Sequence, residues 1–207
     1  MGYTHYYKVS KEFDKKAFAK VAADFKKMIN PLKHLGAVLA DGGGQDSPII
    51  TSRVILFNGL EKCGHEGRQL GITWPSKTAS GVAPNKIGQQ LQELTKGNWF
   101  AGAELESRVC GGDCSHESFC LEQKISDMPE LRKDNAESDK LIFAFTKTAY
   151  KPYDLAVNVC LVIAKHHLED KIRVSSDGTK QNWVESMNLC HHFLGCGLDF
   201  ELDVKEN

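Results

Sequence analysis

One stretch, residues 141–170 (LIFAFTKTAYKPYDLAVNVCLVIAKHHLED), constrains the fold more than any other part of the chain. Residues 141–145 form an uninterrupted apolar run of strand length and predict a buried strand. Pro152 stands where a first helical residue belongs, with φ already set and no N–H to leave unpaired. Residues 155–164 are apolar with the single exception of Asn158, which predicts a helix wrapped by protein on most sides. The loop between carries Lys147, Thr148, Tyr150, Lys151, Tyr153 and Asp154. A polar, basic cluster at a helix start, where backbone N–H groups lack intrahelical partners, is the setting of an anion site.

The flanks supply the other layers. Residues 2–9 alternate aromatic and β-branched side chains and predict a strand, with Tyr3, His5 and Tyr7 on one face and Thr4 and Tyr6 on the other. Ser10 is a cap-type residue for a helix to about residue 30, whose buried stripe is Phe13, Ala17, Val21, Phe25 and Met28. Pro31 is expected to stop it. Further strands are predicted at 54–58, 70–74, 103–109, 118–123 and 172–175, and helices at 85–96 and 179–193. Residues 198–204 (LDFELDV) alternate and predict a closing edge strand. Residues 128–140 read as a charged surface excursion. The expected architecture is α+β: a single domain over residues 1–207, a mixed, mostly antiparallel sheet, and about three main helices covering it.

Composition excludes several function classes. Of 207 residues 41% are hydrophobic, enough for a real core, and the formal net charge of -1 argues against general nucleic-acid binding. The longest apolar run is too short to cross a bilayer, so no membrane association is expected. Seven scattered cysteines, an odd number behind an N-terminus unlike a secretory leader, favour a reducing cytoplasmic setting over a disulfide framework. Met1-Gly2 does not open a myristoylation signal, because Tyr6 stands where Ser or Thr is wanted.

The candidate chemistry is spread over short phrases. Asp41 opens DGGGQDSP, a loop in which glycines can cradle phosphate but more often simply turn the chain. Cys63-Gly-His65-Glu66 and Cys114-Ser-His116-Glu117 are two Cys-x-His pairs that could supply four zinc ligands. The spacing is unusual for zinc, and buried thiols are the commoner explanation, so no metal and no cofactor is expected. His116-Glu117, or His5 with Asp154, could serve as acid/base pairs. The doublets His166-His167 and His191-His192 fall in the last turns of helices and complement the dipole. Nucleophile-elbow, Walker A, G-x-G-x-x-G and H-E-x-x-H motifs are all missing from the sequence, so no catalytic residue is assigned.

The opening MGYTHYY, CGGDCSHESF, FTKTAYKPYDLAVNVCLVIAKHHL and the later VSSDG…W together resemble an uncharacterised family associated with phages and prophages. The resemblance spans effectively the whole chain and implies a small, soluble, single-domain protein. Its phrases fall on residues 3–7, 108–119, 147–154 and 175–177, at strand ends, turns and helix starts where binding sites are found. Phages encode small proteins that capture or destroy the nucleotide signals of host immunity. By that analogy the expected function is sequestration of a phosphate-bearing, nucleotide-derived ligand in the host cytoplasm, leaning towards binding rather than catalysis. The expected pocket draws on Tyr3, His5, Arg108 and His116 from the first two phrases. Glu117, Lys147, Lys151, Tyr153 and Asp154 join them, with Ser176 and Asp177 at the last helix start. Lysines would meet the phosphates and tyrosine rings the base. The alternatives are a nucleotide hydrolase or phosphodiesterase with His, Glu and Asp in acid/base roles, and an inhibitor that docks on a host protein. Homo-oligomerisation is left open.

Overall fold

The computed structural model describes residues 3–63, 69–70, 108–110, 112–125 and 141–204. In chain order its elements are β1 (Thr4–Ser10), α1 (Lys15–His34), β2 (Leu39–Ala40), β3 (Ile49–Ile50), β4 (Val54–Gly59), β5 (Gln69–Leu70), β6 (Arg108–Val109), β7 (Phe119–Glu122), β8 (Leu141–Lys147), α2 (Asp154–Leu168), β9 (Ile172–Ser176) and α3 (Val184–Leu194). The 3-10 turns Glu169–Lys171 and Lys180–Trp183 lead into β9 and α3. The fold is α+β, as expected. Among the described residues the strands group into three sheets, and every described pairing is antiparallel. The predicted helix at 85–96 and excursion at 128–140 lie outside the described residues, as do most of the predicted strands at 70–74 and 103–109. Among the described residues no helix is long and apolar enough to cross a membrane.

The first sheet has the order β8-β1-β9, so the chain's first strand is its centre. The predicted alternation holds from His5 onward: His5, Tyr7 and Val9 are buried, while Tyr6, Lys8 and Ser10 are partly exposed; Thr4, expected on the face of Tyr6, is buried as well. Helix α2 packs on β9 between α1 and α3 and is buried along its whole middle, from Leu155 through Ala164. Its run of apolar residues, interrupted by Asn158 alone, follows from having protein on every side. Strands β2, β3 and β7 pair with β4 in a second sheet, β5 pairs with β6 in a third, and Phe57 and Phe119 join the same core as Phe25 of α1.

Five local expectations are corrected. The run 141–145 is buried on one face only: Ile142 is 4% exposed, but Phe143 and Phe145 are 41% and 51% exposed. An apolar run records composition, whereas the pleat sends alternate residues outward. Helix α1 is capped by Asp14, whose carboxylate accepts from the N–H groups of Lys16 and Ala17, and not by Ser10, the last residue of β1. Pro31 does not stop α1 but lies buried within its last turn. Helix α2 begins at Asp154, two residues after Pro152. Finally, residues 198–204 do not form a strand. Asp203 docks on β9 alone: its N–H donates to the Val174 carbonyl at 2.7 Å, and its carboxylate accepts from the Val174 N–H at 2.6 Å. One side chain supplies the acceptor that a paired strand would have supplied.

Candidate functional site

The register of the first sheet collects the polar phrases. His5 stands opposite Thr146 on β8 and opposite Ser176 on β9, and Thr4 opposite Lys147. The end of β8, the end of β9, the start of β1 and the start of α2 therefore share one end of the molecule. There the chain buries a charged network. His5 Nε2 lies 2.7 Å from Asp154 Oδ1, and His5 Nδ1 lies 3.1 Å from Ser176 Oγ. Thr148 Oγ1 donates to the same Asp154 oxygen at 2.5 Å. Arg108 donates through Nε and a terminal nitrogen to Asp154 Oδ2 at 3.1 and 3.0 Å, and also reaches Glu185 of α3. His5 and Asp154 are fully buried, and Arg108, Glu185 and Ser176 nearly so.

Burial pushes the Asp154 carboxyl up, but the charges of His5 and Arg108 and the hydrogen bonds from His5 and Thr148 outweigh it and hold it down at about 2. Burial likewise disfavours the Arg108 cation, and Glu185 and Asp154 more than restore it. With Asp154 ionised, His5 Nε2 carries the proton it donates there. Ser176 Oγ faces the other ring nitrogen, Nδ1, to which its hydroxyl can donate when that nitrogen carries no proton. Ser176 Oγ in turn accepts the Gly178 N–H at 3.0 Å. Tyr3 and Trp183 close edge-on against the imidazole, with ring centroids 5.0 and 5.1 Å away. Tyr3 also stacks on Tyr150 at 3.8 Å. Ala149 and Tyr150 carry φ of 50° and 55°, a left-handed conformation costly for residues with a side chain and concentrated at functional sites.

The other expected site residues lie at the same end but mainly build its frame. Lys151 Nζ donates to the carbonyls of Cys110 and Asp113 at 2.8 and 2.7 Å. Tyr153 is buried and its hydroxyl donates to the Glu117 carbonyl at 2.6 Å. The ring of His116 donates from Nδ1 to the Lys147 carbonyl at 2.8 Å, and the Glu117 carboxylate accepts the Lys147 N–H at 2.8 Å. Asp177 accepts from Thr4 N–H and the Tyr6 hydroxyl. Asn58 grips the backbone of His116 from β4 at both its N–H and carbonyl.

The loop expected to hold an anion and the glycine loop, expected chiefly as a turn, both engage backbone donors internally. At the start of α2 the N–H groups of Asp154, Ala156 and Val157 already bond to the Lys151 and Tyr153 carbonyls. The glycine loop is filled by its own residue: Asp41 Oδ1 accepts the N–H groups of Gln45 and Asp46, and these bonds lower its pKa. Of the proposed zinc ligands, His116 points to Lys147 and His65 lies outside the described residues. Sequence reasoning missed Glu185, which reads as an ordinary acidic residue in a first helical turn, and the convergence of Cys110 with Cys63 and Cys114. A groove of about 730 Å³ lined by Ser10, Leu141, Lys165 and Asp203 lies at the opposite end of the first sheet.

No family model, no curated protein and no solved structure matches the chain. The functional reading therefore stands on the chemistry of the network. A carboxylate holding one imidazole nitrogen, with a hydroxyl on the other, is an arrangement for moving a proton.

Proposed function

We propose that this protein is a hydrolase whose proton relay runs through Ser176, His5 and Asp154, acting on an ester or phosphoester bond of a small polar molecule. The observation that carries the reading is the His5 ring held between Ser176 Oγ and the Asp154 carboxylate. Ser176 gives its proton to His5 Nδ1 as its oxygen bonds to the carbonyl carbon or phosphorus. The departing alkoxide takes that proton, and water then releases the product from Ser176 by the same route in reverse. Two carboxylates share one guanidinium here, so an imidazolium formed during transfer is stabilised. Nucleotide-derived phosphoesters are the first substrate class to test, since Lys147 and the stacked rings of Tyr3 and Tyr150 stand at the same sheet end.

A second reading, sequestration of such a nucleotide without turnover, is favoured by the complete burial of His5 and Asp154. One experiment separates the two. Purified protein and Ser176→Ala are incubated with a panel of nucleotides, cyclic dinucleotides and simple esters, followed by mass spectrometry, while equilibrium dialysis measures binding. Turnover by the native protein that drops at least about 100-fold in Ser176→Ala supports the hydrolase. Binding with every compound recovered intact supports sequestration. Neither binding nor turnover removes both, and turnover unchanged in Ser176→Ala removes the relay.

A further inference from the structure

Three thiols from two distant segments meet two residues beyond Arg108 in the chain. Cys63 Sγ lies 3.8 Å from Cys110 Sγ, and with Cys114 all three sulfurs lie within 4.8 Å of one another. All are reduced, and the separation is well beyond the roughly 2 Å of a disulfide. It matches the edge of a tetrahedron around zinc, about 3.8 Å for Zn–S bonds of about 2.3 Å.

The backbone holds this geometry from several sides. Asp113 N–H bonds back to the Cys110 carbonyl at 3.2 Å, and Gly112 supplies a φ of 91° that other residues rarely adopt. Lys151 Nζ binds the carbonyls of both Cys110 and Asp113. Cys114 N–H donates to Leu60 at 3.0 Å, and a Cβ on Gly59 would come within 1.9 Å of the Cys114 carbonyl, so only glycine allows the two segments to approach so closely. Cys110 and Cys114 are 2% and 1% exposed, whereas Cys63 remains half-buried. Packing alone does not require three sulfurs to converge, and the ammonium group of Lys151 stands where a cluster of thiolates would need positive charge.

We propose that Cys63, Cys110 and Cys114 bind one zinc ion through three thiolates, with the fourth corner left to water. Binding exchanges three thiol protons for the metal and involves no redox change. The resulting charge of -1 lies beside Lys151. The ion ties the segment after β4 to the loop that follows Arg108, and thereby braces the guanidinium that holds Asp154 and Glu185. The site is independent of whether Ser176 performs chemistry.

The test is metal analysis of the reduced, full-length protein together with cobalt(II) titration. The expected result is one zinc per chain and a one-to-one cobalt complex with strong thiolate-to-cobalt charge-transfer absorption, displaced by zinc. The absorption should fall sharply in Cys63→Ser, a change at a half-buried position that the fold tolerates, and in Cys110→Ser. It should be unchanged in Cys120→Ser and Cys196→Ser. Absence of both bound zinc and a cobalt band in the native protein overturns the proposal, as does a band that survives Cys63→Ser and Cys110→Ser. A protein isolated two hydrogens lighter, with Cys63 and Cys110 cross-linked, overturns it in favour of a disulfide.

Discussion

The imidazole Nε2 of His5 lies 2.7 Å from Oδ1 of Asp154, a residue 149 positions away, and both side chains are fully buried. This contact joins the middle strand of the first sheet to the start of the buried helix α2. Asp154→Asn keeps the shape but removes the charge that Arg108, His5 and Thr148 all address. Breaking a buried pair in this way costs on the order of 3–5 kcal/mol. Chemical denaturation should show that loss; a variant within about 0.5 kcal/mol of the native protein would mean the network contributes little to stability.

The same carboxylate sets an acid limit. Its pKa falls from 3.8 to about 2 on folding, so the unfolded chain takes up the proton first. Its contribution, about 2 kcal/mol, is fully present above the unfolded value and is lost as pH falls through about 4 towards 2. Between those values stability should drop more steeply in the native protein than in Asp154→Asn, as read by denaturation midpoints at a series of pH values. Parallel curves would show that other carboxylates govern the acid transition.

The one-sided burial of β8 predicts opposite outcomes for neighbouring positions. Phe145→Lys, at a 51% exposed residue, should change stability by no more than about 0.5 kcal/mol. Ile142→Lys, at a 4% exposed residue, places an ammonium in the core and should prevent folding or cost several kcal/mol. Thermal melts of the two variants decide this. Equal losses would mean that the outer face of β8 is covered.

Gly59 is the tightest contact between the second sheet and the Cys114 loop. In Gly59→Ala the new methyl meets backbone carbonyl rather than a movable side chain, so one segment must shift. The expected loss is on the order of 3 kcal/mol or more, with weaker protection of the Cys114 and His116 amides in hydrogen exchange. Unaltered protection would show that the approach relaxes freely.

Much of this was legible in the sequence, where local chemistry and tertiary context agree. The alternation of β1 and the largely apolar middle of α2 each have one reasonable solution, and the structure adopts both. The polar phrases at element ends converge at one end of the molecule, where the sheet register sets His5 opposite Ser176 and the start of α2 brings in Asp154. What stayed hidden depends on long-range partners. Asp203 replaces a strand's backbone acceptor only because β9 has a vacant edge there. Glu185 enters the site through Arg108, and the three cysteines meet through the turn around Gly112 and the close approach of Gly59 to Cys114. Pro31 misled because a proline near a helix C-terminus can be accommodated when the last turn is held by packing, here with Leu32 fully buried.

The central place of β1 also bears on how the chain matures during synthesis. The strand emerges well before its partners β8 and β9, with His5 opposite Thr146 and Ser176. Contacts of such sequence separation carry a large loop-closure entropy and slow folding. While the ribosome makes the next hundred or so residues, β1 has both edges unsatisfied and its aromatic side chains open to solvent. The His5 centre therefore cannot form before β9 is added, and Trp183 and Glu185 join it later still.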